Sequence, residues 1–156
     1  MRSVLFSVLL LATTALATAA DVEFLRVWPG WREADSFDRI SEYLGRGENT
    51  GGQLVLRTQP EVRAGYYFLV RIKCAAALPA AKFEVSVVRP DTPEPKVHTF
   101  STALPAKETV VQLGLTGNDW PIGAKGNPVA YRIVLTAADG RVLGEHQSFL
   151  WAKPAK

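Results

Sequence analysis

Short runs in which apolar and polar residues alternate constrain this chain more than any other feature of its sequence. In the clearest run, residues 66–74, the apolar side chains share one parity and the other parity ends in Arg71 and Lys73. A period of two places these sets on opposite faces of a β-strand, one dry and one wet. The same alternation recurs at residues 82–89, 111–115 and 129–135, and weaker strands are predicted at residues 22–27, 53–58 and 96–100.

Clusters of turn-forming residues separate these runs. They lie at residues 49–52, 90–95, 117–119 and 139–140. The Asp139-Gly140 pair stands between two apolar runs and predicts a hairpin with a type I′ turn, because both residue types tolerate a positive φ. The second arm, residues 141–151, changes parity part-way, and a bulge near Gly144 would reconcile its two halves.

One segment has the spacing of a helix instead. The apolar residues of 36–44 fall at i, i+3, i+6 and i+7, which places them on one helical face. Asp35 or Ser36 can cap its start, and Gly45 can close its end in a left-handed conformation. The spacing predicts one short helix, at about residues 36–44, inserted between the first two strands.

The number of short strands decides the fold class. Some eight strands, separated by turns at intervals of about 8–12 residues, predict an all-β fold, a two-sheet antiparallel sandwich. Alternating strand and helix patterns are absent, so a parallel doubly wound sheet is not expected. A length of 156 residues suits one domain, and a hydrophobic fraction of 47% excludes global disorder.

Two parts of the sequence resemble the middle and final strands of immunoglobulin-like or fibronectin-type-III-like modules: residues 65–71, with the sequence GYYFLVR, and the hairpin of residues 130–149. Residues 27–43, which begin VWPGWR, are similar to a group of small exported bacterial proteins without assigned function. The first resemblance implies an immunoglobulin-like sandwich that binds or spaces partners rather than catalysing a reaction. The chain departs from antibody domains because it lacks their paired cysteines and a tryptophan between them.

The first twenty residues have the order of a secretory signal peptide. Arg2 supplies the positive start, residues 4–16 carry no charge, and a small-residue cleavage site follows at residues 17–19. The apolar stretch is shorter than the roughly 20 residues that a membrane-spanning helix needs. We expect a signal peptide at residues 1–20 and a single β-sandwich domain at residues 21–156, located in the periplasm or outside the cell without a transmembrane anchor.

Cys74 is the single cysteine of the chain, so no internal disulfide is expected even in an oxidising compartment. It shares the parity of Phe68, Val70 and Ile72. This parity predicts a small buried hydrophobe with an inert thiol. The alternative is a reactive thiol.

Patterns that indicate catalysis, cofactors or metals are missing from the sequence. His98 and His146 lie in no zinc-binding motif, no G-x-S-x-G nucleophile motif occurs, and no glycine-rich loop has the spacing that cradles phosphates. The 18 Lys and Arg against 15 Asp and Glu give a charge of +3 that is scattered along the chain. We therefore expect no enzyme, no cofactor, no metal site and no nucleic-acid partner.

Tryptophan is the remaining candidate for function. The Pro29-Gly30 pair is expected to break the first strand, which would place its flanking tryptophans in a bend, while Trp120 lies in a long loop, residues 116–128. Exposed indoles can anchor a protein or stack on a sugar, but for each tryptophan, residue statistics favour the structural interpretation, in which it caps the sandwich core. The candidate partner-binding residues are Trp28, Trp31, Arg32 and Trp120 on loops, and Tyr67 on an exposed sheet face.

These observations favour an exported, non-enzymatic interaction module of the bacterial envelope or cell exterior, with a protein partner. The alternative is a carbohydrate-binding module that uses the loop tryptophans. Strand addition at an exposed sheet edge stays open, because the sequence does not identify the edge strands. A hydrolase or a thiol enzyme has the least support.

Overall fold

Eight β-strands make up most of the computed structural model, which describes residues 22–37 and 53–152. In chain order the strands are β1 (Val22–Arg32), β2 (Leu54–Arg57), β3 (Gly65–Cys74), β4 (Leu78–Arg89), β5 (Thr92–Leu104), β6 (Glu108–Thr116), β7 (Ala130–Ala137) and β8 (Val142–Gln147). The described residues also contain three 3₁₀ turns, Ala34–Phe37, Gly117–Asp119 and Gly123–Lys125, and one α-helical turn, Phe149–Ala152.

The strands form two four-stranded sheets. Sheet A has the order β1-β3-β6-β2, and sheet B has the order β5-β4-β7-β8. All neighbouring strands are antiparallel except β2 and β6, which are parallel. Strands β1 and β2 therefore point the same way on opposite edges of sheet A, an arrangement that requires a long connection between them. The predicted all-β two-sheet sandwich is confirmed, with this one parallel pair.

The core lies between the two sheets and follows the predicted parity. On β3 the side chains of Tyr66, Phe68, Val70 and Ile72 are almost completely buried. They pack with the inward side chains of sheet B, such as Phe83. Burial of each large apolar side chain contributes about 1.5–3 kcal/mol to stability. This core explains how the sandwich forms without a disulfide.

The β7–β8 hairpin is present, but its turn differs from the prediction. Gly140 has a left-handed φ of 83°, and no described non-glycine residue has a positive φ, so the type I′ turn is wrong. The Gly140 N–H donates to the Ala137 carbonyl, and the Ala137 N–H donates to the Arg141 carbonyl, as in a three-residue loop that ends in glycine. The bulge predicted near Gly144 is confirmed, because the register leaves Leu143 without an opposite residue.

Two predictions fall largely outside the described residues. The signal peptide predicted at residues 1–20 lies outside them, as does the predicted helix at about residues 36–44 beyond Phe37. The described part of that segment is the end of the 3₁₀ turn Ala34–Phe37. Within residues 22–37 and 53–152, no helix is long and apolar enough to span a membrane.

Candidate functional site

The Pro29-Gly30 pair does not break the first strand, so the predicted bend is wrong. Strand β1 has a bulge at Leu25 and then pairs with β3 without a break from Arg26 to Arg32, with Pro29 opposite Phe68. Because β1 is an edge strand, proline is tolerated there where its missing N–H would face away from the sheet. Trp28 and Trp31, three residues apart on one strand, therefore point to opposite faces of sheet A.

Trp28 lies on the outer face of sheet A and is 37% exposed. The guanidinium carbon of Arg26 lies 4.7 Å from the centroid of its indole ring, and that of Arg71 lies 5.7 Å away. Leu69 is opposite Trp28 in the β1–β3 register. Lys73 follows Arg71 by two residues on β3 and shares its face. We call these five residues the Trp28 patch.

The charges of the Trp28 patch are unevenly paired. Arg71 forms an ion pair of 3.4 Å with Glu108, and both side chains are about half exposed, at 47% and 53%. Such exposed pairs contribute little, about 0–1 kcal/mol. Glu23 lies opposite Lys73 in the β1–β3 register. Within residues 22–37 and 53–152, Arg26 forms no ion pair with a carboxylate.

The other half of this outer face is covered, and the prediction that Tyr67 lies on an exposed face is wrong. Tyr67 is completely buried because the Ala34–Phe37 turn places the Phe37 ring 4.9 Å from the Tyr67 ring. The Tyr67 hydroxyl donates to the Arg63 carbonyl over 2.6 Å and accepts from Arg57 Nε over 2.8 Å. Gly114 leaves the space that the Tyr67 ring fills, since a Cβ there would overlap that ring.

Arg32 belongs to this covered half. Its guanidinium lies 4.9 Å from the Phe37 ring centroid, and its Nη1 donates to Gln112 Oε1 over 2.8 Å. Arg32 is the last residue of β1 and is half-buried, so its predicted position on a loop is wrong. These two contacts hold the Ala34–Phe37 turn against sheet A, so Arg32 supports the fold here rather than standing free at the surface.

Trp120 and Trp31 face the sandwich interior rather than solvent. Trp120 is 2% exposed, its ring lies 4.6 Å from the Tyr66 ring, and its Nε1 donates to the Gly123 carbonyl over 3.2 Å. The interpretation in which this tryptophan caps the core is confirmed, and the alternative of an exposed loop tryptophan is wrong. Trp31 is half-buried against the core, and its Nε1 donates to Glu33 over 2.7 Å.

A buried polar cluster joins the β4–β5 hairpin to the loop after β6. Arg89 is only 5% exposed and contacts Asp91 at 3.0 Å and the Asp119 carbonyl at 3.1 Å. His98 Nδ1 lies 3.9 Å from Asp119 Oδ1, and the buried His98 Nε2 has no hydrogen-bond partner in the described part of the chain. Desolvation lowers the pKa of His98. The cluster fixes the geometry of this end of the sandwich.

The described side chains that could bind a metal or act as a nucleophile lie apart from one another. Within the described ranges, no three His, Cys, Asp or Glu side chains come together where they could hold a metal ion. Cys74 is buried at the end of β3, and desolvation raises the pKa of its thiol. The predicted buried thiol is confirmed. A surface groove of about 670 Å³ at one end of sheet B is lined mainly by small side chains such as Ala80, Ala103 and Ala138.

Comparison with known proteins finds no family model and no curated protein that matches this chain. The contacts and exposure of its residues are therefore the basis for assigning the site. The Trp28 patch contains one predicted residue, Trp28, and four that were not predicted as candidates: Arg26, Leu69, Arg71 and Lys73. The signal available in the sequence was parity, because Arg26 and Trp28 are two residues apart and share a strand face.

Proposed function

We propose that this protein is an exported, non-enzymatic interaction module that binds a protein partner in the bacterial envelope or cell exterior. The observation that supports this most directly is the position of Trp28. It is the most exposed tryptophan of the described residues. It lies on the half of the outer face of sheet A that the Ala34–Phe37 turn does not cover. Tryptophan and arginine are the residue types most enriched at the energetic centres of protein interfaces.

The arginines hold the Trp28 side chain in place before a partner arrives. Two guanidinium groups within 6 Å of the ring centroid each contribute about 0.5–1 kcal/mol to its preferred position. Little rotamer entropy is then lost on association, and association is stronger for that reason. The resemblance to immunoglobulin-like modules also agrees with binding rather than catalysis.

The carbohydrate alternative has weaker support from this geometry. A sugar stacks on an open ring face, and at Trp28 the guanidinium groups of Arg26 and Arg71 already lie over the ring. The other tryptophans proposed for stacking, Trp31 and Trp120, are half-buried and buried. A protein partner can instead pack against the exposed part of Trp28 and the neighbouring Leu69.

The test compares capture of envelope proteins by the immobilised protein and by two single variants. Trp28→Ala removes the proposed anchor, and Val142→Ala removes an exposed apolar side chain (59% exposed) from sheet B. We expect a partner identified by mass spectrometry to bind at least about tenfold more weakly to Trp28→Ala and equally to Val142→Ala. Equal capture by Trp28→Ala would overturn the proposal. Binding to polysaccharides on a glycan array with no protein captured would support the carbohydrate alternative.

A further inference from the structure

Two arginines stand directly opposite each other at the centre of the exposed half of sheet A. Arg26 on β1 is the register partner of Arg71 on β3, and both are exposed. Like charges in directly opposite positions on paired strands are destabilising. Glu108 pairs with Arg71 but within the described ranges no carboxylate forms an ion pair with Arg26. An additional negative group that approached both arginines would relieve the repulsion between them.

The surrounding charges have the same sign. Lys73 adds a positive charge on the same face of β3. The carboxylates on this part of the sheet are Glu23, opposite Lys73, and Glu108, opposite Lys73 on the other side. Among the described residues, three cations against two carboxylates leave the patch positive, and Arg26, which forms no ion pair with them, lies beside the tryptophan. An acidic partner would therefore be attracted and oriented by this surface.

The patch also has an apolar element that a simple ion would not use. Trp28 is 37% exposed and has Leu69 as its cross-strand neighbour. Two guanidinium groups within 6 Å of an indole ring suit a polypeptide whose acidic residues contact the arginines while an apolar side chain between them packs beside the indole. Arginine binds carboxylates through a planar fork of donors, which gives the contact its geometry.

From this arrangement, and given the proposed function, we infer that the Trp28 patch binds an acidic segment of its protein partner. Carboxylates of the segment contact Arg26 and Arg71, and an apolar side chain of the segment packs against Leu69 and the part of Trp28 that the arginines leave exposed. The inference names the chemistry of the partner, which the proposed function leaves open.

The test uses a peptide of stated chemistry with the whole protein. The probe is a capped heptapeptide in which two Glu residues on each side flank a central Leu, and the comparison peptide has Gln in place of every Glu. Binding is followed by the indole N–H resonance of Trp28, which is assigned by its loss in Trp28→Phe. We expect a saturable shift with the Glu peptide and binding of the Gln peptide about tenfold weaker. Added salt should weaken binding of the Glu peptide alone.

Matched variants separate local charge from net charge. Arg26→Gln/Arg71→Gln removes the two opposed cations, whereas Lys82→Gln/Lys125→Gln removes two exposed cations elsewhere. The first pair should weaken binding of the Glu peptide about tenfold and the second should leave it within about twofold. Equal binding of the two peptides, or equal effects of the two double variants, would overturn the inference.

The outcomes also separate this inference from the proposed function. If Trp28→Ala loses the envelope partner but the Glu and Gln peptides bind alike, the interaction function stands and the acidic segment is wrong. If Trp28→Ala keeps the partner, the proposed function itself fails. If polygalacturonate shifts the Trp28 resonance more strongly than the Glu peptide does, the ligand is an anionic glycan and the inference of an acidic protein segment is overturned.

Discussion

Trp28 and Trp31 lie on one uninterrupted strand, three residues apart, and their side chains point to opposite faces of sheet A. Trp28 faces outward beneath Arg26, while Trp31 packs half-buried against the core. The odd spacing in an extended strand produces this division. Two tryptophans that are close in the sequence therefore lie in different surroundings, Trp28 at the surface and Trp31 against the core.

The first prediction concerns the unequal effects of removing these tryptophans on stability. Trp28→Ala should lower the free energy of unfolding by about 1–2 kcal/mol, because it removes the contacts of the ring with Arg26 and Arg71. Trp120→Ala should cost about 3–5 kcal/mol, because this side chain is buried against Tyr66. Trp31→Ala should fall between the two. Urea unfolding followed by circular dichroism measures all three, and a large loss in Trp28→Ala would show that Trp28 supports the fold.

Parity in the sequence was sufficient to predict the sandwich. The strand at residues 66–74 appears as β3 (Gly65–Cys74), but β1, β4 and β5 extend beyond the predicted strands, and the turn predicted at residues 90–95 is wrong beyond residue 91 because β5 begins at Thr92. The reason is that burial between two sheets requires apolar residues at every second position. Cys74 was placed correctly by the same rule.

The candidate site was harder to predict because it depends on contacts between distant segments. Tyr67 has the parity of an exposed residue, but the Phe37 ring covers it. Pro29 is a strand breaker in most positions, but an edge strand tolerates it, and no sequence feature shows which strand is an edge. The pairing of Arg26 with Arg71 required the β1–β3 register.

A second prediction uses two glycines that flank Tyr67 in the sheet. Gly30 on β1 and Gly114 on β6 are both register partners of Tyr67. A Cβ at Gly114 would overlap the Tyr67 ring, whereas a Cβ at Gly30 would meet no atom within 4 Å. Gly114→Ala should therefore lower the free energy of unfolding by about 1–3 kcal/mol, as expected for an overpacked site.

Gly30→Ala is the matched control for that substitution. It adds the same methyl group to the opposite neighbour of Tyr67, and because alanine reduces the entropy of the unfolded chain it should be neutral or slightly stabilising. Urea midpoints of the two variants give the comparison. Equal midpoints would show that the ring of Tyr67 does not fill the space above Gly114.

The third prediction is that the thiol of Cys74 resists modification in the native protein. Burial removes access, and desolvation raises the pKa of the thiol, so little thiolate is present. A chromogenic disulfide reagent should react about 100-fold more slowly with the native protein than with the denatured protein, since reaction requires opening of the fold. As a control, Lys73→Cys in a Cys74→Ala background should react rapidly, because residue 73 is exposed. Rapid reaction of native Cys74 would indicate that this end of β3 opens readily.

The last prediction is a loss of stability in mild acid, and its sign follows from two histidines. Burial lowers the pKa of both His98 and His146 below the usual value of 6.5, although Asp119 partly opposes the effect at His98. Between the lowered pKa and about 6.5, the unfolded chain binds more protons than the folded protein, so stability falls as the pH falls. The urea midpoint should be lower at about pH 5 than at neutral pH.

Substitution of the two histidines tests this assignment directly. In His98→Gln/His146→Gln, neither position titrates in this range, and the difference between the two midpoints should become smaller than in the original protein. Val142→Ala, which alters no ionisable group, should keep the full difference. An unchanged pH dependence in the double histidine variant would show that other groups cause the loss of stability in acid.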